Sequence, residues 1–287
     1  MRAFYEAISL ATFYEILNLM SEKMSAFGIG KLRLAREGKG LGGEILFFPS
    51  IDSTNREARD QALKGAGEGL VILADRQSGG KGRRGRAWES PAGVNLYMSL
   101  VLRPAIRPDA APQITLLVGV AVARALRLVS GLPASLKWPN DVLIYGRKIA
   151  GILAEMEIQD GKIQFVILGM GVNVNWAREE IPAGLQETAT SLKAEGGRDF
   201  SREAVAQEIL EPLEKEYLLF LRGGFSARLR EEWNQLSWMN QKWATVEMPD
   251  RRLEGKVLGL DADGALLLLD REEKTHRLVA GEISLRL

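Results

Sequence analysis

The sequence predicts an α+β fold: a mixed, mostly antiparallel sheet with helices packed on one side, then a small β-barrel. Three observations predict it. Between residues 44 and 237, strand-like runs alternate with helical patterns, and successive strands are joined by hairpin turns. Residues 238–287 hold only short strand-like runs. The 287 residues, 46% of them apolar, suffice for one large domain or two smaller ones. The expected division is a helical extension and linker at 1–43, an α+β unit at 44–237 and the barrel at 238–287.

Each element follows from a local signal. The first 24 residues have apolar positions broken by Glu6 and Glu15, with no small-residue cleavage site after them. This is a short amphipathic helix rather than a secretory signal. Lys31 to Gly43 reads as a Lys/Arg/Gly-rich link. Residues 44–51 form a strand, and Asp52, Ser53 and Thr54 cap a helix running from Asn55 to Lys64. Residues 69–78 and 94–104 are buried strands, the second stopped by Pro104. Apolar side chains at helical spacing mark 112–130. Four further strands follow, with hairpin signals at Tyr145-Gly146-Arg147 and Gln159-Asp160-Gly161. Residues 201–222 and 225–236 read as helices. Five short strands then fill the tail, with turns at Pro249-Asp250 and at Asp261 to Gly264.

Composition removes several chemistries. There is no cysteine, hence no disulfide, thiolate nucleophile or Cys-based metal site. This fits a reducing compartment, and a cytoplasmic location is expected. The single histidine, His276, cannot build a histidine-rich metal centre. Lys+Arg is 38 against 37 Asp+Glu, so no global positive field favours nucleic acid. No apolar run approaches the roughly 18–20 residues of a membrane span. The chemistry therefore falls to Lys, Arg, carboxylates, amides and backbone N–H groups.

Three motifs are candidates for it. Gly79 to Arg86 packs four cations and four glycines into eight residues, directly after a buried strand. Such a loop offers backbone N–H groups and guanidinium forks to a phosphate or carboxylate, although a solvated basic loop has the same composition. Its Gly80, Gly82 and Gly85 match a dinucleotide fingerprint, but a strand rather than a helix follows, so that reading fails. No Gly-Lys pair is followed by Ser or Thr, so there is no P-loop. Second, Lys137-Trp138-Pro139-Asn140-Asp141 precedes Arg147-Lys148 across a hairpin. A fixed ammonium there can stabilise charge at a phosphoryl centre, Asp141 can accept from a substrate or an incoming amine, and Gly151 permits close approach. Plain turn chemistry is the other reading of that segment. Third, Gly169 to Asn175 ends an apolar strand in glycines and amides. Asn173 can read a base edge or meet a cation beside phosphates.

Taken together, the ordered set Asp52-Ser53-Thr54-Asn55, Gln77 to Trp88, Ser90-Pro91, Lys137 to Asp141, Arg147 to Leu153 and Gly169 to Asn175 resembles the biotin protein ligases. The resemblance spans 44–287. It implies a class II synthetase-like catalytic domain and an SH3-like barrel. It implies ATP and Mg²⁺ as cofactors, biotin as substrate, and two half-reactions. Biotin carboxylate attacks the ATP α-phosphate to give biotinyl-5′-AMP and pyrophosphate. A carrier lysine then attacks the mixed anhydride and releases AMP. The implied partner is the biotin carboxyl carrier of acetyl-CoA carboxylase or another biotin-dependent carboxylase, and a homodimer is possible.

Residue by residue, the resemblance implies biotin contacts from Ser53, Thr54, Asn55, Gln77, Gly80, Lys81, Lys148, Gly151 and Leu153. Adenylate contacts fall to Arg83, Arg84, Arg86, Trp88, Asn173 and Lys148, and catalysis to Lys148, Arg83, Lys137 and Asp141. No metal ligand comes from the protein itself. The chain departs from the family's usual Gly-Arg-Gly-Arg loop at Lys81, which keeps the charge and loses the bidentate fork. The 43 residues ahead of the catalytic region are expected to be a shortened extension, not the winged DNA reader of some members. A lipoate or other acyl ligase, a biotin-sensing repressor and a nucleic-acid module using Lys81 to Arg86 are the alternatives. Ser53, Thr54, Asn55 and Gln77 favour the ureido ring of biotin over lipoate.

Overall fold

A computed structural model describes residues 27–248 and 251–285. The expected N-terminal helix and the Pro249-Asp250 turn lie outside these residues. A seven-stranded sheet has the order β1-β2-β3-β7-β6-β5-β4, its strands being β1 (Ile45–Phe48), β2 (Val71–Ala74), β3 (Leu96–Leu102), β4 (Ala134–Lys137), β5 (Asp141–Ile144), β6 (Arg147–Gln159) and β7 (Lys162–Val172). Only β1 and β2 run parallel. The sheet is thus mixed and mostly antiparallel. Both expected hairpins are tight turns with left-handed backbone, at Tyr145-Gly146 (φ 50° and 81°) and Asp160-Gly161 (φ 51° and 72°).

Helices α1 (Ile29–Arg36), α2 (Thr54–Leu63), α3 (Pro112–Ser130), α4 (Leu192–Gly196), α5 (Arg202–Gly223) and α6 (Ala227–Leu236) complete this unit. The main core joins α1, α3, α5 and α6 to one face of the sheet, through Val71, Leu73, Leu100 and Leu168 among others. The intervening residues Ile72, Val101 and Ile167 point the other way and meet Ala58 and Ala62 of α2. Helix packing on one side therefore holds for α3, α5 and α6, while α2 covers the opposite face. Two short apolar side chains let α2 lie close to the strands beneath it.

Two expectations change. The link from Lys31 is helical through Arg36, because Ile29, Leu32 and Arg36 fall on one buried face. Arg36 is 1% exposed and donates to the Leu41 carbonyl and to Glu214 of α5. Burial of a guanidinium requires such partners, and sequence composition does not show them. Second, Pro108–Ser130 is long and apolar enough to cross a membrane by length and composition. Eleven residues of α3, however, are buried in the fold.

The tail forms a five-stranded antiparallel sheet in the order β11-β10-β9-β8-β12: β8 (Trp243–Glu247), β9 (Arg252–Leu260), β10 (Leu266–Leu269), β11 (Thr275–Leu278) and β12 (Glu282–Leu285). Hydrogen bonds among those that fix it to the first unit are these. Trp238 N–H donates to the Leu136 carbonyl (2.9 Å), Leu260 N–H to Asn234 (2.8 Å), and Gln113 to the Asp263 carbonyl (3.1 Å). These contacts hold β12 beside the loops that follow β2 and β4 and the start of β6.

Candidate functional site

A cavity of about 570 Å³ opens where β2, β4 and β7 end, β5 and β6 begin and β12 approaches. One end is a polar recognition cluster. Ser53 sits at the helix-cap position of α2, yet its hydroxyl makes no cap bond, so it stays available to the cavity. The capping expected of it is not made. Gln77 Oε1 accepts from Thr54 N–H (2.8 Å), and Gln77 Nε2 donates to Ser90 (3.0 Å). Ser99 of β3, fully buried, lies 2.8 Å from the Thr54 hydroxyl and 2.7 Å from Asn55 Oδ1. Asn55 in turn donates to Glu155 of β6 (2.6 Å).

The basic loop forms the second wall. It folds on itself as a small hairpin, with Lys81 paired to Ala87 and Gly82 N–H donating to the Arg86 carbonyl (2.7 Å). Arg84 takes a left-handed backbone (φ 56°). Arg83 turns inward to Asn140 Oδ1 (3.2 Å), whereas Arg84 and Arg86 pair with Glu282 of β12. Burial and the neighbouring Arg84 push the Arg83 pKa below its ordinary value; Asp141 opposes them.

Trp88 closes the loop and lies flat on the sheet. A Cβ added at Gly171 would come within 2.5 Å of its indole, and one at Gly151 within 2.9 Å. These two glycines are register partners on β6 and β7, so side-by-side absence of side chains makes the seat for the ring. Gly171→Ala is expected to unseat it at a cost of about 1–3 kcal/mol, the usual overpacking penalty. A lower unfolding midpoint with an altered near-ultraviolet tryptophan signal is the expected result. An unchanged signal would show that the ring does not depend on this glycine.

The third wall carries the cations. Lys148 Nζ lies 2.6 Å from Asp141 Oδ1 and 5.2 Å from the centre of the Trp88 ring. Lys137, on β4 opposite Asp141 of β5, is held below the usual lysine pKa mainly by burial, with Lys148 and Arg86 adding to the effect and Asp141 opposing it. A segment from Leu185 to Thr190 runs alongside: Lys148 N–H donates to the Thr188 carbonyl (2.8 Å) and Thr190 N–H to the Lys148 carbonyl (2.9 Å). Glu195 of α4 anchors that segment by accepting from Arg147 (2.6 Å) and from the Thr190 hydroxyl. Asn173 Nδ2 donates to the Thr190 carbonyl (2.9 Å).

Of the residues expected from the sequence, Ser53, Thr54, Asn55, Gln77, Lys81, Arg83, Arg86, Trp88, Lys137, Asp141, Lys148, Gly151, Leu153 and Asn173 all line this one cavity. Gly80 and Arg84 do not. Gly80 is packed against the Trp88 carbonyl and Ser90, and Arg84 faces the barrel. Sequence reasoning missed Ser99, Asn140, Glu155, the 185–190 segment, Glu195 and Glu282. Only Asn140 carried a signal, as a member of the Lys137 motif.

Besides Asp141 Oδ1, which meets Lys148 as an ion pair, two buried polar atoms in the wall have no hydrogen-bond partner, Trp88 Nε1 and Asn173 Oδ1. Buried polar atoms are rarely left unpaired without a ligand to meet them. Among the described residues, no three acidic or histidine side chains converge as a metal-binding group. A hard divalent cation would therefore arrive with phosphate oxygens, with Asp141 and Asn173 as the oxygen donors at hand. The cavity thus combines an uncharged recognition end with a cationic end.

Residues 47–173 match the Biotin/lipoate A/B protein ligase family, and residues 245–286 match the Biotin protein ligase C terminal domain. The bifunctional ligase/repressor BirA of Bacillus subtilis is 34% identical over 258 residues, covering 89% of this chain and 78% of that one. The biotin–[acetyl-CoA-carboxylase] ligase of Mycobacterium tuberculosis is 32% identical over 237 residues, covering 80% and 85%. Among solved structures, biotin protein ligase from Aquifex aeolicus in complex with biotin and ATP superposes with a TM-score of 0.72 at 29% identity, covering 85% of this chain and 98% of that one.

Proposed function

Because the chain belongs to the biotin protein ligase family, we propose that this one cavity performs both halves of a biotin transfer. The protein is a ligase that activates biotin with ATP and passes it to a carrier of a biotin-dependent carboxylase. The observation that supports the assignment of residues is the convergence of Lys148, Lys137 and Arg83 beside an uncharged recognition end.

On this reading Ser53, Thr54 and Gln77 hold the ureido ring, and the valeryl chain crosses Gly151 and Leu153. Its carboxylate then lies at Lys148. The ammonium draws carboxylate and α-phosphate together and neutralises charge as the new P–O bond forms and pyrophosphate leaves. Lys137 faces the same region; its partly desolvated ammonium interacts more strongly than one in water. Arg83 holds the adenylate phosphate. In the second half-reaction the carrier lysine attacks the acyl carbon, and Asp141 accepts from the incoming amine while AMP departs. Asp141 and Asn173 are the side chains that would meet a Mg²⁺ ion brought by the nucleotide, which would supply charge neutralisation at the phosphates.

The carrier is read as the biotin carboxyl carrier protein. Incubation with biotin, MgATP and that carrier should label one lysine. Labelling of lipoyl domains with lipoate instead would overturn the biotin reading. A homodimer is part of the same proposal, supported by the outer edge of β6 beyond Ile152, where Met156 and Ile158 are exposed and β5 no longer pairs. So are a cytoplasmic location and the absence of operator binding, the latter supported by a net charge of +1.

A further inference from the structure

The recognition end contains a countable shortage of hydrogens. Four oxygens form a chain: Gln77 Oε1, Thr54 Oγ1, Ser99 Oγ and Asn55 Oδ1. Its three links measure 3.1, 2.8 and 2.7 Å. Both end atoms are amide carbonyls and only accept. The two hydroxyls carry one hydrogen each, so three links share two hydrogens.

The amide orientations at both ends are dictated by their other partners. Gln77 must present oxygen because Thr54 N–H donates to it (2.8 Å). Asn55 must present oxygen to Ser99 because its other side faces the Glu155 carboxylate at 2.6 Å, which accepts only. The Asn55 amide is also pressed against Gly169, where an added Cβ would lie 2.0 Å from its oxygen. Ser99 is completely buried. Three links with two hydrogens leave one link empty; assigning the hydrogens to the two shorter links has Ser99 donate to Asn55 and turns the Thr54 hydroxyl, which is also within reach of Gln77, towards Ser99. The shortage falls on the longest link, between Thr54 and Gln77, which both line the cavity.

We propose that Glu155, an exposed residue outside the cavity, is the positioning residue that makes this end of the site demand an N–H from its ligand. By holding the Asn55 amide oxygen inward, it leaves Thr54 and Gln77 as two acceptors without a hydrogen between them. A ring N–H of the ligand completes the chain, and an oxygen or methylene at the same position does not. The inference rests on the biotin reading, in which that N–H belongs to the ureido ring.

Replacement tests the hydrogen count. In Glu155→Lys the ammonium only donates, so the Asn55 amide turns over, its NH₂ faces Ser99, and three links carry three hydrogens. In Ser99→Ala the chain shortens to one link with one hydrogen. Glu155→Gln can still present a carbonyl to Asn55. The measurement is the ratio of dissociation constants, by calorimetry, for a cyclic carbamate analogue with oxygen in place of one ring N–H and for biotin. The unaltered protein should favour biotin by roughly 100-fold or more, as sites built around a buried ligand N–H do. Glu155→Lys and Ser99→Ala should bring the ratio below about tenfold, with Glu155→Gln within about threefold of the original. A merely loosened pocket would weaken both ligands together and leave the ratio alone. If both Glu155→Lys and Ser99→Ala keep the original ratio, the proposal is wrong. If the unaltered protein binds no biotin at all, it is the ligase reading that falls.

Discussion

Lys148→Ala should slow biotinyl-5′-AMP formation by about 10²–10³-fold, the usual effect of removing one preorganised charge donor from a reacting centre. The geometry makes the loss hard to compensate. Among the described residues, Lys148 Nζ is the one ammonium in ion-pair contact with Asp141, at 2.6 Å. Without it, a carboxylate faces the region where two anionic reactants must meet. Gly151 allows the lysine tip to lie close to its strand, within 3.2 Å of where a Cβ would sit, so the position is set by backbone as well as charge. Pyrophosphate release from biotin and MgATP measures the first half-reaction. Carrier labelling from preformed biotinyl-5′-AMP measures the second. The deficit should concentrate in the first. Undiminished adenylate formation would remove Lys148 from its assigned role.

Arg83→Gly should leave adenylate formation measurable and its retention impaired. Arg83 is the only loop arginine that turns inward to the Lys137 hairpin, through Asn140, while Arg84 and Arg86 are engaged by Glu282. Losing one hydrogen bond to a charged group costs about 1.5–3 kcal/mol, which is roughly 10–100-fold in retention. The released mixed anhydride would then acylate lysines of any protein present. Biotin on serum albumin, blotted with streptavidin, is the readout. Labelling that stays confined to the carrier would show that another group retains the adenylate.

Much of this was written in contiguous sequence. The Ser53-Thr54-Asn55 segment at the start of α2, the Gly79 to Arg86 loop and the Lys137 and Lys148 hairpin each announce themselves through local chemistry, and the turns at Gly146 and Gly161 fixed strand pairing. What stayed hidden depends on partners far along the chain. Ser99 is one hydroxyl in an apolar strand until register puts it under Thr54 and Asn55. Glu155 looks like a solvent-facing strand residue until Asn55 reaches it. Arg36 looked like part of a basic link because its counterion, Glu214, lies on a different helix. Glu282 gave no signal, since its meaning comes from two arginines on another unit. Composition also misjudged α3, where small residues dilute a long buried surface.

The cavity has a chronology as well as a shape. Its wall begins at Ser53 and ends at Ser284, so the last part leaves the ribosome about 230 residues after the first, some 10–50 s at typical synthesis rates. The recognition cluster needs α2, β2, β3 and β6, and can assemble once β7 has emerged. Glu282, which engages Arg84 and Arg86, arrives last. A nascent chain can therefore acquire the part that discriminates among small molecules well before the basic loop gains its partner on the barrel. Stalled chains ending between α6 and β12 would isolate that stage: a folded sheet whose loop has not yet been given its anchor.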